Sequence, residues 1–448
     1  MIYLLLRNLI RLALRVYFRK VYVLNEIFTA VDKPVILAAN HPNGVMDIFV
    51  LTALLSKNTY YFLVPTDMMG TSWKATVLKW LNCIPAERGE EKLSMQTLGK
   101  CSNILKNKGK LIVFAEDKSY QAKRLTQISN DASSIALDVE ESYGFNLDIM
   151  LVPVALNYTY FNLFRSELMI SLAHPIPIAD FKNAFQEHKE QVFSSLHENI
   201  SKGLTSEMVI IEQEEHEIVA ERLLTINRND CDIPSIPWNS KQQDKLRFDQ
   251  IIVGYANKLA TQDAPTLMGL TKKTSDYFGQ LASFGINDRD LSATARKGLL
   301  KYLLLVLTLP LFCIGYVCNI LPIWLAGVTS SSNVENAAWH EANRFLKGVG
   351  YWTAHYLLIT MVTYSLGGVY AGLSVGLLFP VSGYFALYFR EWGKSLLDTV
   401  RFWMAKSSKA ELIDSLRLQR EEIIQLMIKK PVRKPVAGIN LTQGFRSN

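Results

Sequence analysis

The sequence predicts an α/β domain joined to apolar helices. Between about residues 21 and 185, short apolar runs of strand character alternate with runs of helical period, as in an α/β domain. Further on, residues 302–334 and 348–389 contain no Asp, Glu, Lys or Arg, and about 20 apolar residues suffice to cross a hydrocarbon core. The chain has 448 residues, 49% of them hydrophobic, and a mean hydropathy of +0.10, which is high for a wholly soluble protein. The net charge of +7 comes without interleaved basic and aromatic residues, so it suits an anionic membrane surface and argues against a nucleic-acid partner. Five scattered cysteines, Cys83, Cys101, Cys231, Cys313 and Cys318, form no Cys-x-x-Cys pair. That spacing argues against a disulfide framework and a zinc site, so no metal is expected and a reducing cytoplasm is.

The elements follow in chain order. Residues 1–20 are apolar but carry Arg7, Arg11, Arg15 and Arg19 every fourth position, one slowly drifting stripe on a helix. A spanning helix would have to bury these arginines, and a signal peptide keeps its charges ahead of its apolar core. The segment is therefore expected to be an amphipathic interfacial helix, with its arginines reaching lipid phosphates and its Leu, Ile, Tyr and Phe side chains entering the acyl boundary. The alternative is a helix packed on the core of the domain. In residues 21–185 the expected strands are 35–39, 60–64, 110–114, 150–157 and 168–172, and the expected helices 48–55, 72–81 and 92–107.

Residues 186–296 turn polar and helical, with a break at the Pro-containing run 230–238, and read as a helical accessory region. Residues 297–390 read as membrane-embedded. Their first apolar run, 302–326, contains Pro310 and Pro322 and fits a kinked span or a re-entrant hairpin. The second, 348–389, is too long for one crossing, and Gly367-Gly368 offers a hairpin turn near its middle. Residues 391–448 form a basic tail, which the positive-inside rule places in the cytoplasm.

Within the α/β part, one run brings chemistry together. Val35 to Ala39 is a buried strand, the turn Asn40-His41-Pro42-Asn43-Gly44 follows it, and Val-Met-Asp47 begins a helix. His41 then leaves a strand end while Asp47 enters the first helical turn. A neutral imidazole takes a proton near neutral pH, and a carboxylate on its other nitrogen fixes the tautomer. Three further runs fall at strand ends: Ile84-Pro85-Ala86-Glu87-Arg88-Gly89, Phe114-Ala115-Glu116-Asp117-Lys118-Ser119, and Val152-Pro153-Val154-Ala155-Leu156-Asn157-Tyr158.

In order and spacing the four runs resemble the four blocks of the glycerophospholipid acyltransferase family, over roughly residues 30–185. The family's first block is usually N-H-x4-D, its second ends in a phosphate-binding Arg, its third is F-P-E-G-x-S and its fourth centres on Pro. Five residues separate His41 from Asp47 here, the longer spacing of the glycerol-3-phosphate acyltransferase branch. In the third block Ala115 and Asp117 stand where the family has Pro and Gly, which removes a backbone able to approach a phosphate closely and adds a negative charge.

The resemblance implies a mixed sheet flanked by helices, and transfer of a fatty acyl chain from a thioester to a phosphorylated glycerol. His41 would be the general base and Asp47 its orienter. Arg88 would hold the acceptor phosphate, and Glu116 would accept a hydrogen bond from a glycerol hydroxyl or position Arg88. Lys118 would offset Asp117 in part, and Ser119 would offer a hydroxyl. Asn40, Pro42, Pro85 and Pro153 would be structural residues near the site. No cofactor is implied; acyl-CoA or acyl carrier protein is the co-substrate. The expected partners are this donor, glycerol-3-phosphate or its 1-acyl form, and membrane lipids. A catalytically silent lipid-binding or scaffold protein is the alternative.

Overall fold

The computed structural model describes residues 1–29, 31–55, 58–87, 93–116, 118–230, 242–292, 299–330 and 339–428, which form two compact units. Arg88, Asp117, the run 231–238, residues 297–298 and the basic tail beyond 428 lie outside the described residues.

The first unit comprises residues 1–210 together with 332–346. Its elements run α1 (Ile2–Tyr17), β1 (Lys20–Leu24), β2 (Val35–Ala39), α2 (Val45–Leu54), β3 (Tyr60–Pro65), α3 (Trp73–Trp80), β4 (Cys83–Ala86), α4 (Met95–Lys106), β5 (Lys110–Phe114), α5 (Asp131–Ser142), β6 (Met150–Tyr158), β7 (Glu167–Leu172), β8 (Ile176–Pro177), α6 (Lys182–Glu187) and α7 (Lys189–Glu207). The strands form one mixed sheet in the order β1-β7-β6-β2-β5-β3-β4, and β8 pairs with β6. Strands β6, β2, β5, β3 and β4 are mutually parallel, while β7 runs antiparallel to β6. Every residue of β2 is buried, which is why it reads as an unbroken apolar run instead of alternating.

Two prolines sit where the sheet tolerates them. Pro85 lies on β4, the edge strand, where a missing N–H breaks no ladder. Pro153 lies in β6 between the stretch 150–151 paired to β8 and the stretch 154–158 paired to β7, so its absent N–H falls at that handover. On the face of the sheet, Pro153 meets α7. A Cβ on Gly203 would lie 2.5 Å from Pro153 Cγ, and Leu196, Ile200 and Leu204 of the same helix enter the core. This packing carries the unit past the expected edge at 185, to Ile210.

Helix α1 turns Arg7 and Arg11 inward, where the whole arginine stripe was expected to reach lipid phosphates. Arg7, only 7% exposed, donates to Asn58 O, and Arg11 donates to Ala53 O at 2.6 Å and Leu55 O, where α2 ends and its last carbonyls lack helical partners. Arg15 and Arg19 are exposed. Tyr3, Ile10, Leu14 and Tyr17 pack inward with them, and Leu5 and Leu12, each 65% exposed, lie with Leu4 and Leu9 on the outer face. Within this unit, Tyr17 also stacks edge-on against Phe345 and donates to Glu341.

The second unit is helical and comprises residues 211–331 and 347–448. Helices α8 (Glu217–Asp230), α9 (Gln242–Gln262), α10 (Ala264–Phe284) and α11 (Asp288–Leu291) are followed by α12 (Leu299–Ser330), α13 (His340–Ser408), whose first residues, 340–346, belong to the first unit, and α14 (Ala410–Ile428). Buried Asp288 of α11 ties α8, α10 and α14 together by accepting from Asn229, Tyr277 and Arg420. Helix α12 continues through both Pro310 and Pro322, and α13 is two helices joined at Gly368, whose φ of 73° suits glycine. By length and composition Val306–Ala326 and α13 are able to cross a membrane. They meet through small and polar residues: Tyr356 donates to Asn319, and a Cβ on Gly315 or Gly383 would collide with Ser382 O or the Asn319 amide.

Substituting Gly203→Ala forces a methyl into the rigid Pro153 ring, so thermal unfolding of the first unit is expected to shift down by about 1–3 kcal/mol, against the gain of roughly 1 kcal/mol that Gly to Ala gives in an open helix. Gly279 of α10, with open space around it, is the control that is expected to gain stability.

Candidate active site

The site forms where β2 ends. Asn40 continues the pairing of β2 with β6 through its side chain: its Oδ1 accepts from Leu156 N at 2.7 Å and its Nδ2 donates to Leu156 O. The chain then leaves the sheet at His41. The His41 backbone N–H donates to Glu116 Oε2 at 2.7 Å, and its ring stacks on Phe114 of β5 with centroids 3.8 Å apart. Backbone and ring are thus both anchored to the neighbouring strand.

The five residues between His41 and Asp47 are accommodated at Gly44. It caps α2 with φ 56° and ψ −137°, a conformation an L side chain strains to adopt. This turn returns Asp47 to His41, with Nδ1 and Oδ2 3.0 Å apart. The same oxygen accepts the Asn43 backbone N–H at 2.8 Å, and the other, Oδ1, accepts the Tyr158 hydroxyl at 2.6 Å. Asp47 is 0% exposed, and these three donors offset its desolvation. The carboxylate requires a proton on Nδ1, which leaves Nε2 as the acceptor nitrogen on a side chain 17% open to solvent. Burial and the adjacent carboxylate push the Tyr158 phenol far above its ordinary value, so it remains a donor.

A loop after β5 closes over the turn. Glu116 is buried, and its Oε1 accepts from both the backbone and the hydroxyl of Thr126. Both of its oxygens are thus engaged within the protein, and Glu116 braces the His41 turn. Gln121 donates to Asn43, Asn43 donates to Phe161 O, and Lys123 donates to Thr159 O. Lys118 is exposed on this loop and Ser119 half-buried, both beyond the end of β5. Pro42 is buried in the turn. Pro85 is on β4, with β5 and β3 between that strand and β2. Among the described residues no group of three His, Cys, Asp or Glu side chains is arranged to hold a metal.

Sequence reasoning gave no role to Tyr158, Phe114, Asn43, Gln121 or Thr126. The first three stand inside the quoted runs, but only the fold shows that their side chains converge.

Residues 18–157 match the family model described as Acyltransferase. This span holds β1 to β5, nearly all of β6, and the His41–Asp47 pair, and the match supports an acyltransferase domain there. Comparison with curated proteins found no match. Among solved structures, the chain is similar to the 1-acyl-sn-glycerophosphate (LPA) acyltransferase PlsC from Thermotoga maritima, with 16% identity, over 44% of this chain and 78% of that one, and a TM-score of 0.31.

Two substitutions test the geometry of the turn. Gly44→Ala strains the cap by about 1–3 kcal/mol and is expected to loosen the His41–Asp47 contact, read as faster amide exchange over 40–47. Glu116→Ala orphans the His41 and Thr126 amides and is expected to cost about 1–3 kcal/mol in chemical unfolding, with faster exchange in both the turn and the loop. Unchanged exchange in both variants would contradict this description.

Proposed function

We propose that this chain is a membrane-bound glycerophospholipid O-acyltransferase, which moves a fatty acyl group from acyl-CoA or acyl carrier protein to glycerol-3-phosphate or its 1-acyl form. The observation that carries the reading is the 3.0 Å contact between His41 Nδ1 and a fully buried Asp47 in the span that matches an acyltransferase family model. The longer His41–Asp47 spacing favours glycerol-3-phosphate as acceptor.

The chemistry follows from the orientation of the ring. The acceptor hydroxyl oxygen attacks the thioester carbonyl carbon as its proton passes to His41 Nε2. The tetrahedral oxyanion collapses, the C–S bond breaks, and the imidazolium returns the proton to the departing thiolate, giving ester and free thiol. Asp47 holds the ring and balances its transient charge, as the carboxylate of a hydrolytic triad does. Arg88 is assigned to the acceptor phosphate, with Lys118 and Ser119 contributing from the loop after β5. No metal or cofactor enters the scheme.

Membrane attachment is assigned to the apolar helices α12 and α13 and to the outer face of α1, where Leu4, Leu5, Leu9 and Leu12 are exposed. The face offered to lipid is the leucine face; Arg7 and Arg11 are used within the domain. The acyltransferase domain is assigned to the cytoplasmic side, where thioester donors are found.

The test uses the full chain in nanodiscs with labelled acyl-CoA or acyl carrier protein and each acceptor. Ester product is expected from the wild type, with a loss of at least about 100-fold in His41→Ala and Asp47→Ala. No product from any donor and acceptor pair would replace this reading with the silent lipid-binding one. Paired Leu5→Glu and Leu12→Glu substitutions are expected to slow acylation of a bilayer-held 1-acyl acceptor several-fold while leaving a soluble short-chain acceptor unaffected. Equal effects on the two acceptors would remove α1 from membrane seating.

A further inference from the structure

We propose that Tyr158 is a positioning residue for His41, acting through Asp47: its hydroxyl, at the end of β6, fixes the carboxylate and sets how strongly that carboxylate holds the imidazole. The proposal rests on the reading of His41 as the base.

Three features support it. The Tyr158 hydroxyl donates to Asp47 Oδ1 at 2.6 Å, while His41 and the Asn43 amide share Oδ2, so the two carboxylate oxygens have divided partners. Tyr158 is 1% exposed and lies against Phe18 and Phe161, with ring centroids 6.0 and 5.7 Å away, which leaves the phenol little freedom to turn elsewhere. Its backbone is locked in the sheet by pairing of Tyr158 with Leu168 on β7. The carboxylate therefore has a donor from the sheet on one oxygen and the donors of the turn on the other.

The consequence is electronic as well as geometric. A hydroxyl bonded to Oδ1 draws negative charge from the carboxylate, so removing it leaves more charge to face the ring proton on Nδ1. The protonated imidazole is then held more firmly and gives up its proton at higher pH. The other ionisable groups around this chain of bonds are Glu116 at the His41 backbone, Lys123 on Thr159 O, and Tyr17 of α1 with Glu341 and Arg344 beyond it. None of them is altered by deleting the hydroxyl.

The experiment compares wild type, Tyr158→Phe and a chain carrying 3-fluorotyrosine at position 158, all full length in nanodiscs. Diethylpyrocarbonate reacts only with the unprotonated ring nitrogen, and the extent of labelling at His41 is read by mass spectrometry across pH. In Tyr158→Phe the labelling midpoint is expected to rise by roughly half to one pH unit, and with fluorotyrosine, a stronger donor, to fall. In acyl transfer the acid limb of kcat is expected to move up with it, with kcat lower by about tenfold and KM within about twofold. An unmoved midpoint in Tyr158→Phe overturns the proposal whatever the transfer rate. Should that variant not fold, an unmoved midpoint with fluorotyrosine overturns it. Labelling needs no substrate, so a wild type without acyl transfer defeats the proposed function while the midpoints still judge Tyr158.

Discussion

A carboxylate withdrawn from water is tolerated only when donors replace the water, and Asp47 is the carboxylate on which this domain is organised. Its three donors come from separate parts of the chain: the ring at the end of β2, the amide of the turn, and a phenol on β6. Each must arrive at once. Parallel pairing of β2 with β6 sets the phenol beside the helix start, and Gly44 bends the turn so that the amide and the ring both face the same oxygen. The helix that carries Asp47 is itself enclosed from Val45 to Ala53.

The same economy governs the residues around the turn. Glu116, Gln121 and Lys123 fasten the loop after β5 by bonds to the His41 amide, the Asn43 side chain and Thr159 O, so the loop is tied twice to the turn after β2 and once to the chain just past β6. Conserving the ring's position requires the stack on Phe114, which is itself stacked on Phe62 of β3. Charge at the N-terminal helix follows a related logic: Arg11 satisfies carbonyls left open where α2 ends, Arg7 donates to Asn58 O beyond it, and with these two arginines turned inward the leucine face of α1 lies outside.

How much of this could be read from the sequence depended on how local the signal was. Strand β2 has the bounds expected of it because a fully buried parallel strand is a continuous apolar run with turn residues at its ends, and β5 has its expected bounds from the apolar run that follows Lys110. The hairpin at Gly368 was legible for a similar reason: two glycines interrupt an uncharged stretch. Strand β1 was hidden in the basic end of the arginine stripe, and β4 by its shortness and its proline. Helix α5 was hidden by its Ser-Ser and acidic residues; one of them, Glu140, is buried and accepts the Leu147 and Ile149 amides. Of the site, His41 and Asp47 are six positions apart and could be paired from spacing alone. Tyr158 is 111 residues from Asp47, and no local pattern announces a contact set by strand order. The direction faced by α1 was likewise undetermined, because a helix with an arginine row and a leucine row can bury either one.

The account stands on the tautomer that Asp47 imposes, and the nitrogen chemical shifts of the His41 ring test it most directly. With the full chain labelled at histidine and the His41 signals identified by their loss in His41→Gln, the account predicts at mildly alkaline pH a proton on Nδ1 and an unprotonated Nε2. A ring protonated at Nε2, with Nδ1 bare beside Asp47, would contradict it.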